Sequence, residues 1–338
     1  MITRLRLTPL LLLIFTILLS ACGGGTDKPA AAPSGSTAPT ASAAPSAEPA
    51  RPIKDALGTV DIKGTPKRIV TLEWTYTENV LALGGTQVGA ADIANYKKYV
   101  KIKQDLPTDV QDVGTRQEPN LEKIAALKPD LIIGVKFRHE KILSQLKAIA
   151  PTLIFDPYSP TSSADQYKEM EETFNTIADA LNKKPEAQKV MSDLTAKITQ
   201  GADKVKAANK AGAEVVLTQA YSDQNAAVFR LFTPESLPGK ILTKMGLKNA
   251  YSAGKVEMYG YSTAGVEALS AIQNANLLHI IQDSDNVIEK ILKDNAVWKS
   301  LGFVKDNRLY ALGGDTWPFG GPWSMETFVD RVVATFAK

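Results

Sequence analysis

The sequence predicts an α/β protein of two similar lobes, each with a mainly parallel sheet, joined by one long rigid helix. Three observations lead there. A loop–helix–strand unit runs through GTRQEPNLEKIAALKPDLIIGV, Gly114 to Val135. A weaker copy, GVEALSAIQNANLLHII, runs from Gly265 to Ile281; there Glu267 precedes Leu269 and Ile272 as Glu122 precedes Ile124 and Leu127, 145 positions earlier. Between the copies lies a long, largely polar helical stretch. Two shorter echoes keep the same order. VLALG (Val80 to Gly84) and LTKMG (Leu242 to Gly246) look like helix ends with Gly at C′. RIVTLE (Arg68 to Glu73) and EVVLTQ (Glu214 to Gln219) look like opening strands. One such pair is common to any two αβ units; three in one order indicate duplication.

At the N-terminus, Arg4 and Arg6 precede an apolar run, Leu10 to Leu19, too short to span a membrane comfortably. LSAC (Leu19 to Cys22) follows and looks like a lipobox, the site at which bacterial lipoproteins are diacylated and cleaved. Cys22 is the only cysteine and sits outside any plausible core, so a buried structural thiol is a poor reading. Residues 1–21 are therefore expected to be a signal peptide, and Cys22 the lipidated residue of an exported protein without disulfides. Such a protein is anchored to the membrane, not spanning it. Removing Arg4 and Arg6 lowers the formal charge from +3 to +1, which argues against nucleic-acid binding through phosphate contacts. Residues 22–52, almost wholly Gly, Ala, Ser, Thr and Pro, cannot bury a core and are expected to be a disordered tether.

The folded part is expected to divide into an N-terminal lobe (53–183), a linking helix (184–210) and a C-terminal lobe (211–338). In the first lobe, Thr59–Lys63 and Arg68–Glu73 are expected strands, Thr77–Leu83 a helix and Val88–Ala91 a strand. Asn120 suits an N-cap, Leu121, Ile124, Ala125 and Leu127 give an apolar face, and Pro129 stops the helix by forcing Lys128 out of the α region. Leu131–Val135 is then a buried strand, Glu140–Ala150 a helix and Thr152–Phe155 a strand. Ala164–Leu181 and Pro185 to about Ala208 are long helices; the second, with its sparse face Val190, Leu194, Ile198 and Val205, is expected to be the strut. In the second lobe Glu214–Thr218, Val228–Phe232 and Arg308–Leu312 are expected strands, and Gly239–Met245, Asn286–Leu292 and Trp323–Phe336 helices.

No nucleophile elbow, H-E-x-x-H, P-loop or dinucleotide fingerprint is present. His139 and His279 are the only histidines, and His279 falls in an apolar strand, so a zinc or haem ligand set has little to draw on. What remains is a set of loops rich in Trp, Tyr and Arg at strand ends, where open α/β sheets bind ligands. These hold Trp74, Tyr76, Arg116, Lys136, Phe137, Arg138, His139, Tyr221, Arg230, Tyr259, Tyr261, Trp317, Phe319 and Trp323. Each alone has a bland reading as a packed or solvated residue; together they suit a bulky anionic ligand, because guanidinium forks onto planar oxygens and rings wall in apolar arms.

At VGTRQEPNLEKIAALKPDLIIG and the closing GGDTWPFGGPWS the chain resembles the iron-siderophore, ferric-citrate and vitamin B12 substrate-binding proteins of ABC importers, from about Pro66 to the C-terminus. The resemblance implies two rigid lobes, a ligand in the cleft between them, small lobe motion, no enzymatic activity and a monomer. It implies that Arg116 meets the chelating oxygens of a ferric siderophore. It further implies that Glu122 and Glu267, one per lobe, dock on arginines of a permease dimer served by a cytoplasmic ATPase. Trp74, Tyr76, Arg138, His139, Arg230, Tyr259, Trp317 and Phe319 are the further ligand candidates. GVKFRHE and LEWTYTE look most like members handling citrate–hydroxamate siderophores such as schizokinen, with ferric citrate as the alternative, and cobalamin or haem further off. Iron would need no protein ligand, since the siderophore's oxygens fill the coordination sphere of a hard cation. The lipobox suits the Gram-positive lipoprotein form, so the protein is expected on the outer face of the cell membrane. A cell-surface hydrolase stays open as a third reading, for which the sequence shows no catalytic pair.

Overall fold

The computed structural model describes residues 50–338. The expected signal peptide, Cys22 and most of the expected tether lie outside the described residues. Strand β1 (Ala50–Asp55) pairs antiparallel with β2 (Gly58–Lys63). Arg51 and Pro52 thus belong to a hairpin, not to the tether. Arg51 is held because its guanidinium donates to Gly64 O at 3.0 Å and Ala180 O at 2.9 Å, and also to Asp179 O. The last two are carbonyls in the last turn of a helix, which favour a cation.

The first lobe continues with β3 (Ile69–Thr71), α1 (Trp74–Ala82), β4 (Gln87–Ala90), α2 (Ile93–Tyr99), β5 (Gln111–Asp112), α3 (Leu121–Ala126) and β6 (Leu131–Val135). Next come α4 (Lys136–His139), α5 (Leu143–Ile149), β7 (Thr152–Phe155), α6 (Pro160–Ala164) and α7 (Gln166–Ala180). Its five strands are all parallel, in the order β5-β4-β3-β6-β7. β6 and β7 are buried along their whole length, as strands covered on both faces must be.

After α8 (Lys184–Ala207), the second lobe holds β8 (Glu214–Asp223), β9 (Ala226–Phe232), α9 (Leu237–Lys244), β10 (Lys248–Asn249), β11 (Tyr261–Ala264) and β12 (Asn276–Ile280). It ends with α10 (Ala296–Ser300), α11 (Gly302–Lys305), β13 (Leu309–Ala311) and α12 (Pro322–Phe336). Here the sheet is mixed, in the order β11-β9-β8-β12-β13, with β10 also on β8. β8, β10, β12 and β13 run parallel, β9 returns antiparallel to β8, and β11 pairs antiparallel with β9.

The duplication is visible in this topology. β3 and β8 are the central strands, and β6 and β12 flank them. Both α1 and α9 end on a left-handed glycine, Gly84 (φ +67°) and Gly246 (φ +80°), with the next N–H bonded back to Val80 O and Leu242 O. Asn120 caps α3 by accepting from Lys123 N at 2.9 Å, and Lys128 leaves the right-handed region (φ +45°) ahead of Pro129. The copy at Val266–Ile272 is capped by Gly265, which has no side chain to offer, and winds as a 3₁₀ helix.

The expected strand Glu214–Thr218 runs on to Asp223, Arg68–Glu73 shortens to Ile69–Thr71, and four helices differ. Helix α1 starts at Trp74 rather than Thr77, with Glu73 at its N-cap. The helix expected over Glu140–Ala150 begins instead as α4, passes through a 3₁₀ turn and resumes as α5. The helix expected over Ala164–Leu181 is broken at Asp165, whose side chain caps α7 through Lys168 N. Asn286–Leu292 narrows to a single π turn, Ile288–Leu292.

Helix α8 belongs to both cores. Ala187 and Val190 pack with Phe174, Ile177 and Leu181 of the first lobe. Leu194, Ile198 and Val205 pack with Met245, Val329 and Phe336 of the second. A second tie reinforces it: the fully buried Glu78 of α1 accepts from Ser324 N at 2.8 Å and from its hydroxyl, at the N-terminus of α12. Burial pushes this carboxyl up and the Ser324 bonds pull it back.

Candidate functional site

The parallel strands of both lobes deliver their C-terminal ends to one cleft, the place where such sheets take ligands. Two cavities lie in it, of about 380 and 420 Å3. Arg116, Arg230 and Trp317 line both and form the passage between them. Tyr76, Arg138, Tyr259 and Phe319 line the first, and Trp74 lines the second.

The first lobe's wall is built on Glu73, directly after β3. Its two oxygens accept from Arg116 Nη1 at 2.7 Å and Arg138 Nε at 2.9 Å. The Arg116 guanidinium also lies 3.5 Å from the centre of the Trp74 ring, and its Nε is 3.6 Å from Asp92. One carboxylate thus holds two guanidinium groups, and a ring fixes the plane of one.

His139 does not line the cleft. It is fully buried, its Nδ1 accepting from Val135 N and its Nε2 facing Arg116 O, both at 2.9 Å. Accepting at Nδ1 puts the ring proton on Nε2, which donates to the Arg116 carbonyl. Burial lowers its pKa, so the ring stays neutral. His139 is a peg behind the Arg116 loop; as the last residue of a helical turn it is turned back onto Val135 and Arg116, which its apparent position in a loop concealed.

The second lobe's wall carries Arg230 on β9. Its Nη1 donates to Gln219 Oε1 at 2.8 Å, and its guanidinium lies 4.9 Å from the Tyr221 ring and 5.0 Å from the Tyr261 ring. Among the described residues no carboxylate pairs with it. The β8–β9 hairpin that brings it there turns through Gln224 and Asn225, both at positive φ, a two-residue turn that matches strand twist.

A chain of rings crosses from lobe to lobe. Phe137, Tyr158, Tyr259, Tyr261, Phe319, Trp317 and Trp74 follow one another with centroids 4.7–6.1 Å apart. Phe137 and Tyr259 form its exposed end, at 44% and 39% exposure. Four buried N–H groups near the passage make no hydrogen bond within the protein: Trp74 Nε1, Trp317 Nε1, Arg116 Nε, which has only the longer ion pair to Asp92, and Arg230 Nε.

Sequence reasoning missed Glu73, Tyr158, Asn79, Gln166 and Glu169, all of which line the first cavity. Starting α1 at Thr77 hid the three-residue spacing of Glu73, Tyr76 and Asn79, the one signal available. Glu169 is raised to about 7, by burial first, with Thr173 opposing and Glu172 and Asp156 adding to it. Glu122 and Glu267 are exposed, each in the first turn of its helix. Among the described residues no three His, Cys, Asp or Glu side chains are grouped to hold a metal. The arrangement binds: it offers donors, rings and a passage.

Residues 69–316 match the periplasmic binding protein family. The Fe(3+)-citrate-binding protein YfmC of Bacillus subtilis (strain 168) is 36% identical over 84% of this chain and 85% of its own length. The probable siderophore-binding lipoprotein YfiY of the same organism is 31% identical over 85% and 88%. Among solved structures, the Fe3+–Desferal-bound siderophore binding protein FhuD of Vibrio cholerae superposes with a TM-score of 0.72 at 26% identity, covering 80% of this chain and 98% of that one.

Proposed function

Because the chain belongs to the periplasmic binding protein family, we propose that it captures a ferric siderophore of the citrate–hydroxamate type, such as schizokinen, between its lobes and delivers it to an ABC permease for iron uptake. It is a binding protein, not an enzyme. One observation carries the ligand class: four buried N–H donors without a hydrogen bond, two of them guanidinium, belong to residues that line the two cavities. Buried donors of this kind are rarely left alone. Their complement is a cluster of anionic oxygens, such as the shell of a ferric chelate. The iron is cargo, and its ligands come from the chelator. Both cavities fall in the range of roughly 300–1,000 Å3 typical of small-molecule sites, and the chain of rings gives apolar arms a surface.

Ferric citrate is the second reading, supported by the 36% identity to a protein described as binding it. On either reading Cys22 carries the lipid anchor on the outer face of the cell membrane, and Glu122 and Glu267 dock on the permease. The description of one relative as a lipoprotein supports the anchor.

Tryptophan quenching tests the ligand class. Trp74 and Trp317 lie in the cleft, so a bound ferric chelate sits next to both. Ferric schizokinen, ferric citrate, ferrichrome, a ferric catecholate and cobalamin are titrated, with iron-free chelators as controls. Saturable quenching by a ferric hydroxamate or citrate complex is the expected result; quenching by cobalamin alone rules the reading out.

A further inference from the structure

Two helices supply the floor of the first cavity. α1 turns Glu73, Tyr76 and Asn79 toward it at three-residue spacing, and α7 turns Gln166, Glu169 and Thr173. Glu73 is consumed by its two arginines; the others are not. Asn79 is fully buried, and neither its amide nitrogen nor its oxygen has a partner within the protein. Tyr76 is 2% exposed and its hydroxyl is likewise unpartnered. Gln166 is 7% exposed; its oxygen accepts from Leu237 N, while its nitrogen has no partner. A donor and an acceptor side by side, with further donors and a carboxylate near, complement a neutral group that both gives and takes hydrogen bonds.

Resting on the siderophore reading above, we propose that this floor is a specificity subsite: it favours ferric chelates whose arm ends in an amide-like or hydroxamate group and disfavours those that place a free carboxylate there. Glu169 supplies the disfavouring element. It is faced by Tyr76 from α1, by Asp156 and Tyr158 from the segment after β7, and by Glu172 and Thr173 on its own helix, and Glu73 lines the same cavity. Arg138, which lines the same cavity, is bonded to Glu73, and Lys136 to Asp156. The remaining base on this cavity, Arg230, stands on the second lobe's wall and is held there by Gln219. Burial raises this carboxyl to about 7. Its charge therefore grows as pH rises through neutrality, and so does its repulsion of a carboxylate arm. Tyr76, held well above its ordinary value by burial and then by Glu169, stays protonated and donates.

The full chain is titrated with ferric schizokinen and with ferric citrate at pH 6 and pH 8, as wild type, Glu169→Gln and Asn79→Ala. Wild type is expected to prefer schizokinen, more so at pH 8. Glu169→Gln is expected to tighten ferric citrate at pH 8 by roughly fivefold and to erase the pH dependence of the preference. Asn79→Ala is expected to weaken schizokinen more than citrate. Wild type binding both chelates, with either variant leaving the preference unchanged, overturns the subsite and spares the siderophore reading. Wild type binding neither overturns both.

Discussion

The two lobes present opposite solutions to holding an arginine over one cleft. In the first lobe Arg116 and Arg138 share Glu73, and Asp92 stands 3.6 Å from Arg116. In the second, Arg230 meets only the Gln219 amide and two tyrosine rings. The first wall is fixed in shape but nearly neutralised; the second keeps its charge available. A guanidinium already bonded to a carboxylate gains less from a ligand oxygen than one bonded to a neutral amide. The difference comes from topology. β10 pairs with the start of β8, at Glu214 and Val215, as β4 pairs with β3. Farther along the same edge β8 pairs with β9, from Thr218 to Asp223, and this return strand has no counterpart in the first lobe. Arg230 rides on that added strand.

What the lobes share is tested by the largest expected effect. Glu122 and Glu267 are exposed acids at matched places in the duplication. Replacing both by Ala is expected to cut iron uptake by cells roughly tenfold or more, since charged pairs at an interface govern encounter and register. Affinity of the purified protein for the chelate is expected to stay within about twofold of wild type, because neither acid lines a cavity. Normal uptake by a well-expressed double variant contradicts the docking role.

What separates the lobes is tested next. Arg230→Ala is expected to weaken a ferric chelate by roughly 10- to 100-fold, the worth of a charged hydrogen bond or two. Arg138→Ala, whose charge Glu73 already answers, is expected to cost less, about three- to tenfold. An equal or larger loss for Arg138→Ala by tryptophan quenching would show that pairing does not set availability. Glu73→Gln probes the same contrast through stability. It leaves Arg116 and Arg138 largely buried without their acid, and a loss of roughly 2 kcal/mol in denaturant unfolding is expected. Substitution of Gln219 by Leu, on the other wall, is expected to cost under about 1 kcal/mol, since only a neutral acceptor is lost.

These contrasts also mark where the sequence was legible. Periodicity and capping placed β6 and β7 residue for residue, because both are short, wholly buried runs between a proline stop, Pro129 or Pro151, and a polar restart. The duplication was visible in its glycines and its Glu–Ile–Leu spacing. The faces of the site were less so. A strand end and a helix start fuse at Glu73–Trp74, and no local signal separates a capping acid from a loop acid; so Glu73 went unseen while the aromatic residue beside it stood out. His139 looked like a loop residue until a helical turn carried it under Arg116. Asn79, Gln166 and Glu169 resemble any polar helix residue; only the approach of α1 to α7, a tertiary fact, makes their positions a cavity floor.

The smallest expected effect concerns the two histidines, again one per lobe. His139 has both ring nitrogens satisfied, whereas His279 on β12 keeps an unpartnered Nδ1. Burial lowers both, His279 to about 4. A folded-state value below the unfolded one means that the unfolded chain binds a proton the folded chain refuses. Stability is then full above about 6.5 and falls as pH drops toward about 4. The slope from His279 is at most about 1.4 kcal/mol per pH unit. His279→Leu is expected to change stability little at pH 7 and to flatten the decline between pH 6.5 and 4.5. His139→Leu is expected to destabilise even at pH 7, because Val135 N–H and Arg116 C=O lose their partners inside the protein, and to weaken chelate binding through the displaced Arg116 loop. Urea unfolding of both variants at the two pH values separates the cases. If His279→Leu declines as steeply as wild type, the acid sensitivity of the second lobe arises elsewhere, and the two histidines differ in bonding without differing in consequence.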